Sequence, residues 1–268
     1  MLSNTSRLLT YGNAFLYAVL GGFLFIMPEG LAPVFAWKVT PFMTMTIGGW
    51  CLGNAWLAFF AARRWDWQRV YTALLYLWVF GAGELFVLYL FRGKLVLAHP
   101  VAWLYLTTLI VNVVAALIGF FDLLRIRPAL ESSGPRTNSL QYTGLISFIV
   151  FVGFLGYYGC TAQIGAPGTN GGIFPEIMSL FTLRSFGVFY LSVSVGAVPL
   201  LWDRNLKPFL NYGFLAFGLI LFITTAAFMY IRLFDFSARP AGLAYFGAYI
   251  SVGIVFLIYF RAYGTGKV

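Results

Sequence analysis

The sequence predicts an all-α polytopic membrane protein in which about eight transmembrane helices form a tandem (parallel) repeat of two four-helix units. Of its 268 residues, 61% are hydrophobic and 9% are charged, and the mean hydropathy is +0.86. Soluble globular domains carry about 25% charged residues, so this composition excludes a water-soluble protein. The uninterrupted apolar segments exclude a transmembrane β-barrel as well, because barrel strands alternate apolar and polar residues.

Eight apolar segments are each long enough to cross about 30 Å of hydrocarbon as a helix. They cover residues 8–27, 42–61, 70–91, 101–121, 143–160, 180–201, 209–231 and 241–261. Lipid offers no hydrogen bonds to the backbone, so each segment must satisfy its own amides by forming a helix. The first segment lacks a convincing cleavage site, so we expect it to remain as the first helix rather than to be removed as a signal.

The distribution of Lys and Arg predicts that both termini lie in the cytoplasm, because cytoplasmic loops carry an excess of these residues. Eleven of the 17 fall at the N-terminus or after the second, fourth, sixth and eighth segments: Arg7, Arg63, Arg64, Arg69, Arg125, Arg127, Arg136, Arg204, Lys207, Arg261 and Lys267. We expect a bacterial-type plasma membrane. The net charge of +9 is spread over short gaps that meet lipid headgroups, which argues against nucleic acid as a partner.

An internal repeat divides the chain into a first unit (1–123), a polar cytoplasmic linker (124–142) and a second unit (143–268). Shifts of 137 to 140 residues pair Pro28 with Pro167, Gly48 with Gly187, Trp65-Asp66 with Trp202-Asp203, and Pro100 with Pro240. Four helices per unit is an even number, so both units insert with the same orientation. Their pseudo-two-fold axis is then expected to lie along the membrane normal.

Glu84 is the only acidic residue that the sequence places well inside a span, since the other seven lie at helix ends or in connections. A lone carboxylate at that depth is expected to be protonated, or paired with a cation inside the bundle. Arg184 lies at a comparable depth in the sixth segment. We therefore expect Glu84 and Arg184 to face one another across the interface between the units, with either a structural role or a role in handling a ligand or proton.

Asn54 and Asn112 complete the candidate intramembrane polar site. Amides within transmembrane helices commonly hydrogen-bond to neighbouring helices, so a packing role stays open beside a functional one. Convergence of these two residues with Glu84 on a cavity would favour transport. A position on separate packing seams would favour a structural role.

The residue inventory favours a non-enzymatic protein without deciding the question. His99 is the only histidine, which excludes bis-histidine haem, a histidine-rich metal centre and a Ser-His-Asp triad within one chain. It remains a candidate as a single ligand to a pigment or haem. We predict no metal site, no catalytic residues and no obligatory cofactor, and the 20% aromatic content leaves bound lipid or pigment open.

Two functions fit these observations. The first is a non-catalytic integral membrane subunit or scaffold of a larger membrane complex, in contact with the lipid bilayer and with other integral subunits or with itself. The alternative is a transporter of a small or apolar solute, with a path between the two repeats near Glu84. Transporters of charged solutes usually show several intramembrane ionisable groups or helix breaks. The spans here are mostly uninterrupted and nearly uncharged, which favours the subunit.

Overall fold

The computed structural model describes residues 1–128, 134–163 and 178–263. Within these ranges, eight helices are long and apolar enough to cross a membrane, as the sequence predicts. They are α1 (Asn4–Ile26), α2 (Pro41–Arg64), α3 (Trp67–Leu90), α4 (Pro100–Ile126), α5 (Ser139–Thr161), α6 (Leu180–Ala197), α7 (Leu206–Met229) and α8 (Ala241–Tyr263). The helices identify the chain as a polytopic integral membrane protein.

Side-chain caps fix where most of these helices begin. The first backbone N–H groups of a helix have no partner within it, and a Ser, Thr, Asp or Asn just before the helix supplies an acceptor. Such caps start six of the long helices: Ser3, Thr40, Asp66, Asn138, Ser179 and Asn205. α4 begins instead at Pro100, whose missing N–H costs nothing at that position.

Four helices lie inside the bundle and four lie outside. α2 and α6 are the most enclosed, with 78% and 61% of the membrane-spanning window buried, and α3 and α7 follow. Contacts between the first half (α1–α4) and the second half (α5–α8) run mainly from α2 to α7, from α3 to α6 and from α3 to α7. The outer helices are α1 and α4 in the first half, and α5 and α8 in the second.

Two glycines allow the outer helices to approach the inner ones closely. A Cβ on Gly48 of α2 would lie 2.7 Å from the backbone nitrogen of Phe25 in α1. A Cβ on Gly187 of α6 would lie 2.5 Å from the backbone nitrogen of Cys160 in α5. Small residues at such points let the helix backbones touch, which favours van der Waals packing in lipid.

Hydrogen bonds tie helix ends together on the side of the bundle where α1 begins, which we call the terminal side. Near the end of α4, the buried Asp122 accepts hydrogen bonds from the hydroxyls of Ser3 and Ser6. In the second half, Gln141 near the start of α5 donates to the hydroxyl of Tyr263 at the end of α8, at 3.3 Å. Both outer helix pairs are thus joined at this side.

The predicted linker 124–142 is shorter in the structure, because α4 extends to Ile126 and α5 begins at Ser139. Residues 129–133 lie outside the described ranges. The last part of the linker is held against the start of α7, where the N–H of Leu206 donates to the carbonyl of Pro135 at 2.9 Å.

Candidate functional site

Glu84 lies in α3 and is fully buried where the two halves meet. Its Oε2 accepts a long hydrogen bond, 3.4 Å, from the hydroxyl of Tyr105 in α4. The hydroxyl of Ser185 in α6 lies beside the carboxyl group without forming a well-aligned hydrogen bond. The carboxyl group therefore stands between a residue of its own half and a residue of the other.

The expected pairing of Glu84 with Arg184 is wrong. Arg184 donates from Nη1 to the carbonyl of Gly159 in α5, at 2.7 Å, and no ion pair joins it to Glu84 in the described part of the chain. The helical geometry gives the reason. Successive residues are about 100° apart around a helix axis, so Ser185 facing α3 turns Arg184 towards α5.

Asn54 and Asn112 each bind a tyrosine of a neighbouring helix. The hydroxyl of Tyr76 in α3 donates to Oδ1 of Asn54 at 2.6 Å, and Nδ2 of Asn112 donates to the hydroxyl of Tyr17 in α1 at 2.7 Å. Tyr17 also lies near the Asn54 amide. These bonds join α2 to α3 and α1 to α4, in the manner expected of packing amides.

The three predicted residues of the first half belong to one buried group, which we call the polar cluster. Asn112 packs its amide against Gly81, one turn before Glu84 in α3, and Tyr105 lies two turns before Asn112 in α4. The cluster consists of Tyr17, Asn54, Tyr76, Glu84, Tyr105, Asn112 and Ser185, and Arg184 is not part of it.

Sequence reasoning missed the three tyrosines and Ser185. Tyr105 could have been found, because it is seven residues from Asn112 and so shares its helix face. Tyr17 and Tyr76 carry no such signal, since their partners Asn112 and Asn54 lie on other helices.

Several polar atoms of the cluster have no well-aligned hydrogen-bond partner among the described residues. They are Oε1 of Glu84, Nδ2 of Asn54, Oδ1 of Asn112 and Oγ of Ser185, and all four residues are at most 1% exposed. Buried polar groups normally find partners, because each one left unpaired costs about 1–3 kcal/mol. The hydrogen bonding of the cluster is thus incomplete within the described residues.

Stacked aromatic rings fill the rest of the interface between the halves. The rings of Trp50 in α2 and Phe189 in α6 stack at 4.8 Å with an interplanar angle of 5°. Towards the opposite side, Phe181 stacks on Trp37 at 4.3 Å and on Phe91 at 5.1 Å. These rings are in direct contact across the interface between the halves.

The second half contains an apolar crevice between α5 and α8, with a cavity volume of about 100 Å³. α6 and α7 form its floor, and its surface is almost entirely carbon. No residue of the polar cluster lines it.

His99 lies just before α4, half-buried, and makes no side-chain cap to that helix. It is not part of the polar cluster, and its role as a pigment or haem ligand stays a prediction. In the described ranges, no group of three or more His, Cys, Asp or Glu residues is arranged to hold a metal ion.

Replacing Tyr17 with Phe and Asn112 with Val tests whether their hydrogen bond draws α1 to α4. In a double-mutant cycle of unfolding free energies in mixed micelles, we expect a coupling of about 0.6 kcal/mol and at most about 1.7 kcal/mol. The control cycle pairs Asn112→Val with Tyr89→Phe, whose ring is 62% exposed on α3. It should be additive to within about 0.5 kcal/mol. Equal coupling in both cycles would refute the assigned role.

The chain matches no protein-family model, no curated protein and no solved structure. No function, ligand or partner is therefore suggested by a relative.

Proposed function

We propose that the chain is a tandem repeat of two four-helix units related by a pseudo-two-fold axis along the membrane normal. The helix bounds support this. α1 and α5 have 23 residues each and are related by a shift of 135, and α3 and α7 have 24 residues each and are related by a shift of 139. The shift of 139 also relates α2 to the span Leu180–Asp203, and the short helix Arg92–Lys94 to Ile231–Leu233.

Contacts between and within the halves agree with the shift of 139 residues. Phe189 is the counterpart of Trp50 at a shift of 139, and two counterparts that stack on each other are expected to lie on the axis. Gly48 packs on α1 as its counterpart Gly187 packs on α5. The predicted match of Trp65-Asp66 with Trp202-Asp203 does not follow this register, because Asn205 is the residue that caps α7 as Asp66 caps α3. Pro167, the predicted counterpart of Pro28, lies outside the described residues.

The protein is, on this proposal, a non-catalytic integral membrane subunit or scaffold of a larger complex, with both termini in the cytoplasm of a cell with a bacterial-type plasma membrane. The observation that supports this proposal is the unequal burial of the outer helices in the two halves. α5 and α8 have 22% and 17% of their spanning windows buried, against 39% and 33% for α1 and α4, at similar hydropathy. α5 and α8 are thus less buried than α1 and α4 although their hydropathy is similar. This leaves the face formed by α5 and α8 for an integral membrane partner.

Gentle extraction of the tagged chain from native membranes, followed by mass spectrometry, tests the subunit proposal. We expect a stoichiometric integral membrane companion whose recovery falls when Phe154 of α5 and Ile254 of α8, both exposed, are changed to Ala. A loss of about 1 kcal/mol of interface energy corresponds to about a fivefold fall.

The matched control changes Phe15 of α1 and Leu117 of α4, also exposed, to Ala. Companion recovery should then be unchanged. A chain that purifies alone, or a companion lost equally with both pairs of substitutions, would contradict the proposal. A second copy of the chain as the companion would make the complex a homo-oligomer.

A second candidate function is transport of a small or apolar solute past Glu84. One observation favours it: Glu84 and Ser185, on opposite halves, each direct an unpartnered oxygen into the interface. The stacked Trp50 and Phe189 oppose it by filling the path.

Proteoliposomes containing a pH-sensitive dye distinguish the two functions. Since the interface is closed by packed rings, we expect proton flux under an imposed gradient to be the same for the wild type and Glu84→Gln, at equal thermal midpoints. Faster flux in the wild type, lost in Glu84→Gln, would favour transport.

A further inference from the structure

The crevice of the second half and the polar cluster of the first half occupy corresponding places, an inference that rests on the repeat proposed above. Val152 of α5 is the counterpart of Tyr17 at the α1–α5 shift of 135. Val252 of α8 is the counterpart of Asn112 at the shift of 140 that relates Pro100 to Pro240. Both valines line the crevice.

Two other members of the cluster follow the same relation. Val193, on the floor of the crevice, is the counterpart of Asn54 at the shift of 139, and Tyr245, also at the crevice, is the counterpart of Tyr105. In the first half, the Tyr17–Asn112 hydrogen bond draws α1 to α4 and fills the space between them. In the second half a pair of valines cannot form that bond, so α5 and α8 stand apart.

The chemistry of the lining specifies what the crevice can hold. None of the described residues that line it is charged. The hydroxyls of Tyr190 and Tyr249 are 3.1 Å apart and bond to each other, and almost the whole surface of the crevice is carbon. A ligand that presents only carbon has no hydrogen bonds to lose on entering such a site, whereas a polar ligand would lose those it makes outside.

The size and position of the crevice narrow the choice of ligand further. A helix with its side chains is about 10–12 Å across, whereas carbon chains pack at about 4 Å. Apolar cavities of about 150 Å³ take up a benzene molecule, so about 100 Å³ suits a few methylene groups. The Gln141–Tyr263 bond joins α5 to α8 at the terminal side, and the lining residues lie in the middle of both helices, at the depth of the bilayer hydrocarbon.

We propose that this crevice binds one acyl chain of a bilayer phospholipid, which inserts sideways between α5 and α8 while its headgroup stays outside. The chain contacts Val152 and Val252 on the walls and Val193 and Leu219 on the floor. The floor residues are at most 7% exposed, which separates an inserted chain from lipid that only covers the outer surface. Their labelling is therefore the readout.

The test uses the full chain in nanodiscs containing phosphatidylcholine with a diazirine midway along one acyl chain. After irradiation, mass spectrometry measures labelling at Val193 and Leu219. Ala248→Phe places a ring in the crevice from α8, and we expect it to reduce floor labelling about tenfold, equivalent to about 1.4 kcal/mol of lost preference. Leu257→Phe, on the exposed side of the same helix, is the matched control and should leave that labelling unchanged.

The double variant Val152→Tyr, Val252→Asn transfers the first half's hydrogen-bonded pair to the second half. We expect it to draw α5 to α8 and reduce floor labelling by the same factor. Because Ala248→Phe does not depend on the repeat, either variant tests the site if the other fails to fold.

Unchanged floor labelling in both folded variants would overturn the proposal. Preferential labelling by an isoprenoid carrying the same diazirine would overturn the assignment to an acyl chain, and protein–protein cross-links from the floor would assign the crevice to a partner. These results are distinguishable from failure of the subunit proposal, because recovery of a companion is measured without the labelled lipid.

Discussion

The stacked rings of Trp50 and Phe189 join α2 to α6 across the interface between the halves, and Phe189 also packs against Tyr76 and Phe80 of α3. An aromatic pair of this kind contributes about 0.5–1.5 kcal/mol beyond the area that it buries. In lipid there is little hydrophobic gain from bringing helices together, so such packing and the close approaches at Gly48 and Gly187 hold the bundle together. The outer helices pack against this inner group of α2, α3, α6 and α7.

The two halves use their outer helices differently. In the first half, Tyr17 and Asn112 bridge α1 and α4, and the polar groups around Glu84 are enclosed with them. In the second half, α5 and α8 leave a carbon-lined crevice, and the proposed repeat places Val152 and Val252 at the positions of the bridging pair. On the proposed reading, the second unit is the half that takes up lipid and meets the partner.

Much of the fold could be predicted from the sequence, because hydropathy and cap residues act locally. The eight spans follow from apolar length, and their starts follow from residues such as Ser3 and Asp66. The burial of Glu84 was also predictable from its place in an apolar segment. Its partner was not, because choosing between Arg184 and its neighbour Ser185 requires the rotation of α6 about its axis, and no local signal fixes that rotation.

The crevice could not be predicted from the sequence, because it depends on how α5 and α8 pack against α6 and α7. Its proposed relation to the polar cluster combines the shift of 135 between the bounds of α1 and α5 with the shift of 140 between Pro100 and Pro240. A single shift of 139 misaligns α1 by four residues, which is about one helical turn.

A high-resolution cryo-electron microscopy map of the chain in phospholipid nanodiscs would test most directly the claim that an acyl chain lies between α5 and α8. Such a map shows the α5–α8 crevice and the α1–α4 contact in one molecule. The account predicts an elongated, chain-like density between α5 and α8 in contact with Val193, and direct contact of α1 with α4 through Tyr17 and Asn112. A map in which α5 and α8 pack together as closely as α1 and α4, with no density between them, would contradict it.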